Sequence, residues 1–143
     1  MLSFMNMDVV GFCSIETMHL QLNPTCTILI KAPNGKGKST ILSALVWAIY
    51  GKNLKGVSDV NTWKEVRPKD YKGTMVQVFF QKDTHTYKIV RCQKYEEVLE
   101  DGAKGKDRLV FIKDGDIIDI KGKGKIQDAI NREIGLSYTL FMN

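Results

Sequence analysis

The stretch Leu29-Ile-Lys-Ala-Pro-Asn-Gly-Lys-Gly-Lys-Ser-Thr-Ile-Leu42 determines how the rest of this sequence is interpreted. It overlaps Thr27 to Ile30, an apolar run of the kind found in strands that are buried on both faces. A glycine-rich loop follows, and a second apolar run extends from Lys38 to Tyr50 before Gly51. The order predicts a central strand, a tight loop and a buried helix that Gly51 ends.

This order of residues is that of a phosphate-binding P-loop, in which Gly, four further residues and Gly-Lys-Ser/Thr follow a strand. Gly37, Lys38 and Ser39 match the pattern, and Ala32 takes the place of the first Gly. Gly35 and Gly37 can adopt φ values that other residues avoid, so consecutive N–H groups can turn inward around a phosphate. The N-terminus of the following helix adds unpaired N–H groups and a positive dipole end. We therefore interpret the loop as a nucleotide site rather than a surface turn.

Each polar residue of the loop has an expected role in binding. Lys38 is the predicted catalytic residue, because its ammonium would meet the β- and γ-phosphates. Ser39 is the predicted metal ligand, and Thr40 would donate to a phosphate. For Lys36 both a phosphate contact and a solvent-directed side chain stay open, and the second is favoured. With ATP and Mg²⁺ as ligands, the predicted cofactor-binding residues are Asn34, Gly35, Lys36, Gly37, Lys38, Ser39 and Thr40.

The residues around the loop resemble a known family. Asn34-Gly-Lys-Gly-Lys-Ser-Thr-Ile-Leu42, followed by Ala44-Leu-Val-Trp-Ala-Ile-Tyr-Gly51, is similar to the N-terminal ATPase segment of the SMC-like double-strand-break repair ATPases. These are the SbcC-type proteins and their phage recombination-endonuclease relatives. The resemblance implies an α/β fold, a P-loop NTPase half-lobe of the ABC/SMC head type with an added antiparallel β-sheet. It also implies that residues 1–143 form a single N-terminal nucleotide-binding lobe, truncated before the Q-loop and coiled coil.

The same resemblance implies a function in DNA repair and recombination. The full assembly would be an ATPase that clamps DNA and regulates a partner nuclease through ATP-driven head dimerisation. The implied partners are a C-terminal ATPase lobe from the same or a second chain, a nuclease subunit of the Mre11 type, DNA, and a second head in a head-to-head homodimer. The isolated chain is expected to be inactive, because no Q-loop glutamine, signature motif or Walker B carboxylate pair is recognisable in it. Val110 to Lys113 leads into Asp114, but Gly115 and Asp116 predict a turn there.

Two other interpretations stay open. The first is a nucleotide-binding or assembly module without turnover, which the missing Walker B motif favours for the isolated chain. The second is an unrelated small P-loop kinase, whose acceptor site would need several arginines close together. The four arginines of this chain are scattered along it, which disfavours a kinase: Arg67, Arg91, Arg108 and Arg132.

Composition is that of a cytosolic globular protein, in the host cytoplasm if the protein is encoded by a phage. The 143 residues carry a net charge of +5, which favours polyanionic partners, and no apolar run approaches the ~20 residues of a membrane helix. The three cysteines form no CxxC pair, so a zinc site is not indicated. For Arg67 and Lys69 both a contact with DNA or phosphate and an exposed ion pair stay open, and the exposed ion pair is favoured. A solvated loop is the default for the later basic residues and a DNA-backbone patch is the alternative: Lys104, Lys106, Arg108, Lys113, Lys121, Lys123 and Lys125.

The remaining elements follow from short-range patterns. Alternation and β-branched runs predict strands, Asp-Gly predicts a tight hairpin turn, and apolar residues at helical spacing predict a final helix. In chain order we predict strands at Phe4–Val10 and Thr17–Leu22, a hairpin of Thr74–Gln81 with Thr86–Cys92, a mobile loop at Tyr95–Lys106, a hairpin of Leu109–Ile112 with Ile117–Ile120, and a helix over Ile126–Ile134 ended by Gly135.

Overall fold

The computed structural model describes residues 2–22, 36–53 and 56–135. Two helices lie in these ranges, α1 (Lys36–Tyr50) and α2 (Lys123–Ile134). A short 3₁₀ turn covers Lys64–Val66. The strands are β1 (Leu2–Phe12), β2 (Ile15–Gln21), β3 (Thr74–Lys82), β4 (His85–Gln93), β5 (Tyr95–Val98), β6 (Lys104–Lys106), β7 (Leu109–Lys113) and β8 (Asp116–Ile117).

An antiparallel sheet organises the described part of the chain. Its strands lie in the order β2-β1-β3-β4-β7-β8, and each neighbouring pair is antiparallel. The two predicted hairpins are therefore confirmed, and the two predicted N-terminal strands pair as a third. The sequential strands pair through short turns, and the long connection that carries α1 separates β2 from β3. The predicted central strand at Thr27–Ile30 lies outside the described residues.

Both helices cover one face of this sheet. Alternate residues of β3 are buried, with Val76, Val78 and Phe80 at most 1% exposed, as period-two strands with one face in the core require. These side chains share one apolar cluster with the second half of α1 and with Ala129, Ile130 and Ile134 of α2. The buried helix predicted after the glycine loop and the final helix are both confirmed.

The opposite face of the sheet has a smaller core of its own. Val90, Cys92 and Val110 pack there with Tyr95, which belongs to a two-stranded ribbon of β5 and β6. Cys92 is 3% exposed, and burial raises the pKa of its thiol to about 12. It therefore acts as a small apolar residue.

The prediction of a mobile loop over Tyr95–Lys106 is wrong. These residues form the β5–β6 ribbon, closed by a hydrogen bond of 2.8 Å from the Leu99 N–H to the Ala103 carbonyl. Tertiary packing determines the conformation of the β5–β6 ribbon. Gly105 lies so close to the Tyr95 ring that a Cβ at this position would be 2.6 Å from it. The second strand of the last hairpin is shorter than predicted, since β8 covers only Asp116–Ile117.

Candidate nucleotide-binding site

Helix α1 begins at Lys36, inside the predicted phosphate-binding segment. The backbone of Lys36 to Ser39 forms its first turn, so the free N–H groups of the helix N-terminus belong to these residues. Thr40 follows and is half-buried. Asn34 and Gly35, and the side chains of Lys36 to Ser39, lie outside the described residues. The roles assigned to them stay predictions.

The other end of α1 is held by side chains from β4 and α2. Arg91 donates from Nε to the Ala48 carbonyl oxygen at 3.0 Å and from Nη2 to that of Ile49 at 3.3 Å. Gln127 Nε2 donates to the same Ile49 oxygen at 2.8 Å. Arg91 Nη2 also donates to Gln127 Oε1. These bonds satisfy carbonyl groups that the last turn of a helix leaves without partners.

Electrostatics favour a cation at this end of the helix. The carbonyl end of α1 carries the negative pole of the helix dipole, and Arg91 places a guanidinium against it. Burial lowers the pKa of Arg91 to about 10, which leaves the group charged at neutral pH. Sequence reasoning missed this residue, because it treated the arginines as scattered.

Gly51 closes α1 as predicted. Its φ is +80°, in the left-handed region, and its N–H donates to the Trp47 carbonyl oxygen at 2.7 Å. Trp47 and Tyr50 are 2% and 8% exposed, and the Trp47 ring lies 5.8 Å from that of Phe12 between centroids. Both aromatic residues therefore belong to the core.

The connection from α1 to β3 is fastened to β1 by buried polar groups. The Tyr71 hydroxyl donates to the Gly11 carbonyl oxygen at 3.1 Å and accepts from Asn61 Nδ2 and the Thr62 N–H, both at 3.0 Å. Thr74 Oγ1 donates to the same Gly11 oxygen at 2.6 Å. The loop after the P-loop helix is therefore held in one conformation by hydrogen bonds to the sheet.

Arg67 differs from its prediction as an exposed ion-pair residue. Its side chain is half-buried, donates from Nε to the Thr62 carbonyl oxygen, and places its guanidinium carbon 4.9 Å from the centre of the Tyr71 ring. Arg67 therefore stabilises the α1–β3 connection through contacts within that connection. Lys69 is exposed.

The later basic residues divide into paired and exposed groups. Arg108 makes a bidentate contact with Asp101, at 3.0 and 2.7 Å, and this contact lowers the pKa of Asp101 to about 2. Lys113 contacts Glu133 at 3.2 Å. The remaining ones are exposed, as a solvated surface requires: Lys104, Lys106, Lys121, Lys123 and Lys125.

Asp114 lies in a turn, as predicted, and not at a Walker B position. Asp114 and Gly115 have φ of +51° and +86°, the geometry of a type I′ hairpin turn. The Asp114 carboxylate accepts from the Thr86 N–H at 2.9 Å and contacts His85 at 2.6 Å. These hydrogen bonds, the backbone one first, lower the pKa of Asp114.

Helix α1 begins one residue before Gly37-Lys-Ser-Thr40 and packs on the sheet, and the fold is that of a P-loop NTPase. The model of the AAA domain family matches residues 7–141, and the chain belongs to this family. The predicted resemblance to the N-terminal lobe of the SMC-like ATPases is thereby confirmed. In the described residues neither helix is long and apolar enough to cross a membrane.

Two curated relatives are exonuclease subunits of phages. Exonuclease subunit 2 of Escherichia phage RB69 is 29% identical over 140 residues, which are 96% of this chain and 22% of that protein. Exonuclease subunit 2 of Enterobacteria phage T4 is 31% identical over 91 residues, which are 64% of this chain and 15% of that protein. The chain thus spans less than a quarter of the length of these relatives.

Solved structures with the same fold include the recombination mediator protein RecF of the RecFOR pathway. The alignment with the RecF-ATPrS structure covers 87% of this chain and 29% of the RecF chain, with a TM-score of 0.53 and 17% sequence identity. The RecF-ATP structure gives a TM-score of 0.52, 17% identity and coverages of 87% and 30%. At this identity the likeness confirms the P-loop fold.

Proposed function

We propose that this chain is the ATP-binding lobe of a DNA double-strand-break repair and recombination ATPase. The observation that carries the proposal is the start of α1 at Lys36, which puts Gly37-Lys-Ser-Thr40 in the first turns of a helix packed on the sheet. A helix N-terminus offers free N–H groups and a positive dipole end to a phosphate. The anchored C-terminal end of α1 supports the same proposal, because it fixes the direction in which those groups point.

The residues of this turn suit a nucleotide with Mg²⁺. Lys38 would hold the β- and γ-phosphates, Ser39 would hold the metal ion through its hydroxyl, and Thr40 would donate to a phosphate. Asn34 to Gly37 would surround the phosphates with backbone N–H groups. Bound Mg²⁺ supplies charge neutralisation in phosphoryl transfer, and the contribution of the chain is positioning.

Hydrolysis would need a second lobe. The relatives are several times longer than this chain. Asp114, the carboxylate that follows the apolar strand β7, lies in a hairpin turn and accepts a hydrogen bond from the Thr86 N–H there. We propose that the catalytic carboxylates come from a C-terminal lobe, and that ATP joins two such heads around DNA. A nuclease subunit is the proposed partner, since both relatives are subunits of exonucleases.

Calorimetric titration of the chain with ATP and Mg²⁺ tests the nucleotide site. Lys38→Ala should weaken binding roughly 10- to 100-fold, the loss expected for a charged hydrogen bond to phosphate, and Ser39→Ala should remove the dependence on Mg²⁺. The matched control is Lys125→Ala, which removes an exposed lysine of α2 and should leave binding unchanged. Lys36→Ala decides between a phosphate contact and a solvent-directed side chain.

Two results would contradict the proposal. Equal ATP affinity of the Lys38→Ala and Lys125→Ala variants would show that the loop is not the nucleotide site. ATP hydrolysis by the isolated chain that Lys38→Ala abolishes would show that no second lobe is required. If turnover is still absent when the chain is combined with its C-terminal lobe, the alternative is correct and the chain is a binding module without turnover.

A further inference from the structure

One glutamine side chain joins the two helices to each other and to the sheet. Gln127 of α2 donates from Nε2 to the Ile49 carbonyl oxygen in the last turn of α1, at 2.8 Å. The same nitrogen donates to Asn131 Oδ1 at 3.1 Å, and Gln127 Oε1 accepts from Arg91 of β4. Both hydrogens and the oxygen of this amide are therefore used, so the hydrogen-bond network fixes its orientation.

The Ile49 carbonyl oxygen is the point at which this network meets the P-loop helix. It accepts from Gln127 at 2.8 Å and from Arg91 Nη2 at 3.3 Å. The closer of these two donors belongs to α2 and not to the sheet. The position of α1 along its own axis thus depends on α2 as well as on β4.

Helix α2 is held differently at its two ends. Near its C-terminus the Tyr87 hydroxyl of β4 donates to the Glu133 carboxylate at 2.6 Å. The N-cap is Gly122, which has no side chain to accept from the first N–H groups, and residues 123–125 are exposed. Gln127 lies between these ends and ties the less firmly held half of α2 to α1.

We infer that Gln127 is a positioning residue for nucleotide binding, because it makes the position of the P-loop helix depend on the position of α2. The N–H groups at the start of α1 move with the helix, so a displacement of α2 reaches the expected phosphate site. The choice of ATP as the ligand rests on the proposed function. Since coupling between two parts of a protein is reciprocal, bound nucleotide restrains α2 in turn.

Calorimetric titration with ATP and Mg²⁺, in conditions under which each variant is folded, tests this role. Gln127→Ala should weaken ATP binding roughly 2- to 10-fold, the effect of one neutral hydrogen bond. A glutamine that only stabilises the fold would lower the free energy of unfolding and leave the ATP affinity of the folded chain unchanged. The matched control is Asp128→Ala, which removes the neighbouring exposed side chain of α2 and should leave affinity unchanged.

A second variant separates the two contacts of the amide. Gln127→Glu keeps an acceptor for Arg91, but it has no hydrogen to donate to the Ile49 carbonyl oxygen and adds a negative charge at the carbonyl end of α1. It should therefore weaken ATP binding at least as much as Gln127→Ala. Unchanged ATP affinity in Gln127→Glu would mean that the residue acts only by holding Arg91, which would overturn the inference.

Nuclear magnetic resonance without nucleotide tests the link between the helices by itself. Because a helix moves as a rigid rod, the amide resonance of Thr40, in the N-terminal half of α1, should shift in Gln127→Ala and stay in place in Asp128→Ala. Addition of ATP should slow amide hydrogen exchange in α2 of the unchanged chain and have no such effect in Gln127→Ala. If Gln127→Ala does not fold, Gln127→Met, which keeps the length of the side chain without its amide, replaces it.

An unmoved Thr40 resonance in Gln127→Ala would overturn the inference, and so would an ATP affinity equal to that of Asp128→Ala. Failure of the nucleotide site gives a different result. The unchanged chain would then not bind ATP, while the Thr40 resonance would still shift in Gln127→Ala. That result would refute the proposed ATP site and leave the link from α2 to the P-loop helix in place.

Discussion

Arg91 Nε donates a hydrogen bond of 3.0 Å to the carbonyl oxygen of Ala48, and this contact joins the middle of the sheet to the last turn of the P-loop helix. The bond positions the helix along its axis, because Arg91 belongs to β4, whose neighbours on both sides are strands. A change at this carbonyl end would move the N-terminal turn of α1 as well, since a helix of 15 residues moves as a rigid rod.

Arg91→Ala should therefore reduce both stability and nucleotide affinity. The change removes the side-chain donor of the Ala48 carbonyl and one of the two donors of the Ile49 carbonyl, which keeps Gln127. We therefore expect a loss of about 2–4 kcal/mol in the free energy of unfolding. Arg91→Lys should fall between, because an ammonium cannot reproduce the fork geometry of guanidinium. Urea denaturation measures the effect, with Arg132→Ala, which removes an exposed arginine of α2, as the control. Equal losses in the two alanine variants would show that the contacts of Arg91 with the last turn of α1 do not stabilise the fold.

Two glycines with similar backbone angles provide a second test. Gly73 and Gly102 have φ of +94° and +83°, so alanine is strained at both positions by about 1 kcal/mol. A Cβ at Gly73 would stand 2.0 Å from the Lys94 carbonyl oxygen, whereas one at Gly102 meets nothing within 4 Å. Gly73→Ala should cost about 4 kcal/mol or more or prevent folding. Similar melting temperatures for the two variants would contradict the close packing of Gly73 against β5.

The Tyr71 hydroxyl should be needed to fix the loop between α1 and β3. Tyr71→Phe removes one donor and one acceptor from a network that includes Asn61 and Gly11, and we expect a loss of about 1–3 kcal/mol. Tyr95→Phe is the control, because the Tyr95 hydroxyl makes no hydrogen bond among the described residues. Hydrogen exchange should show faster exchange of the Thr62 amide in Tyr71→Phe only. Unchanged exchange of that amide would show that other contacts hold the loop.

Short-range signals predicted the elements that depend on local chemistry. The Asp114-Gly115 turn needs two residues with positive φ, and Asp-Gly is the sequence that provides them most readily. The helix after the glycine loop was predicted to be buried because apolar residues lie around most of its circumference. The Gly51 and Gly135 C-caps were predicted because glycine tolerates the left-handed region.

Long-range contacts decided what the sequence could not predict. The β5–β6 ribbon contains few apolar residues, and it forms because Tyr95 packs with Cys92 and Val90 on the sheet. Arg91 alternates with buried neighbours along β4, and nothing in its sequence context indicates a helix end 43 positions away.

Glu133 joins the last helix to the sheet through its carboxylate. Its Oε2 accepts from the Tyr87 hydroxyl at 2.6 Å, and its Oε1 accepts from Lys113 at 3.2 Å. The hydrogen bond from Tyr87 and the nearby lysines outweigh partial burial and lower the pKa of Glu133 below its ordinary value of 4.5. The Tyr87 hydroxyl, which is buried beside this carboxylate, has a raised pKa. The folded state thus stabilises the ionised form of Glu133 relative to the protonated form.

Glu133→Gln should consequently destabilise the chain in a pH-dependent way. Because the folded state holds fewer protons than the unfolded state, the contribution is fully present above pH 4.5 and disappears as the pH falls through the lowered pKa. We expect a loss of about 1 kcal/mol at neutral pH, modest because the side chain is 31% exposed, and little difference near pH 3. Urea denaturation at both pH values measures this, with Glu97→Gln on the exposed surface of β5 as control. A deficit of equal size at both pH values would mean that packing, and not the charge, links α2 to the sheet.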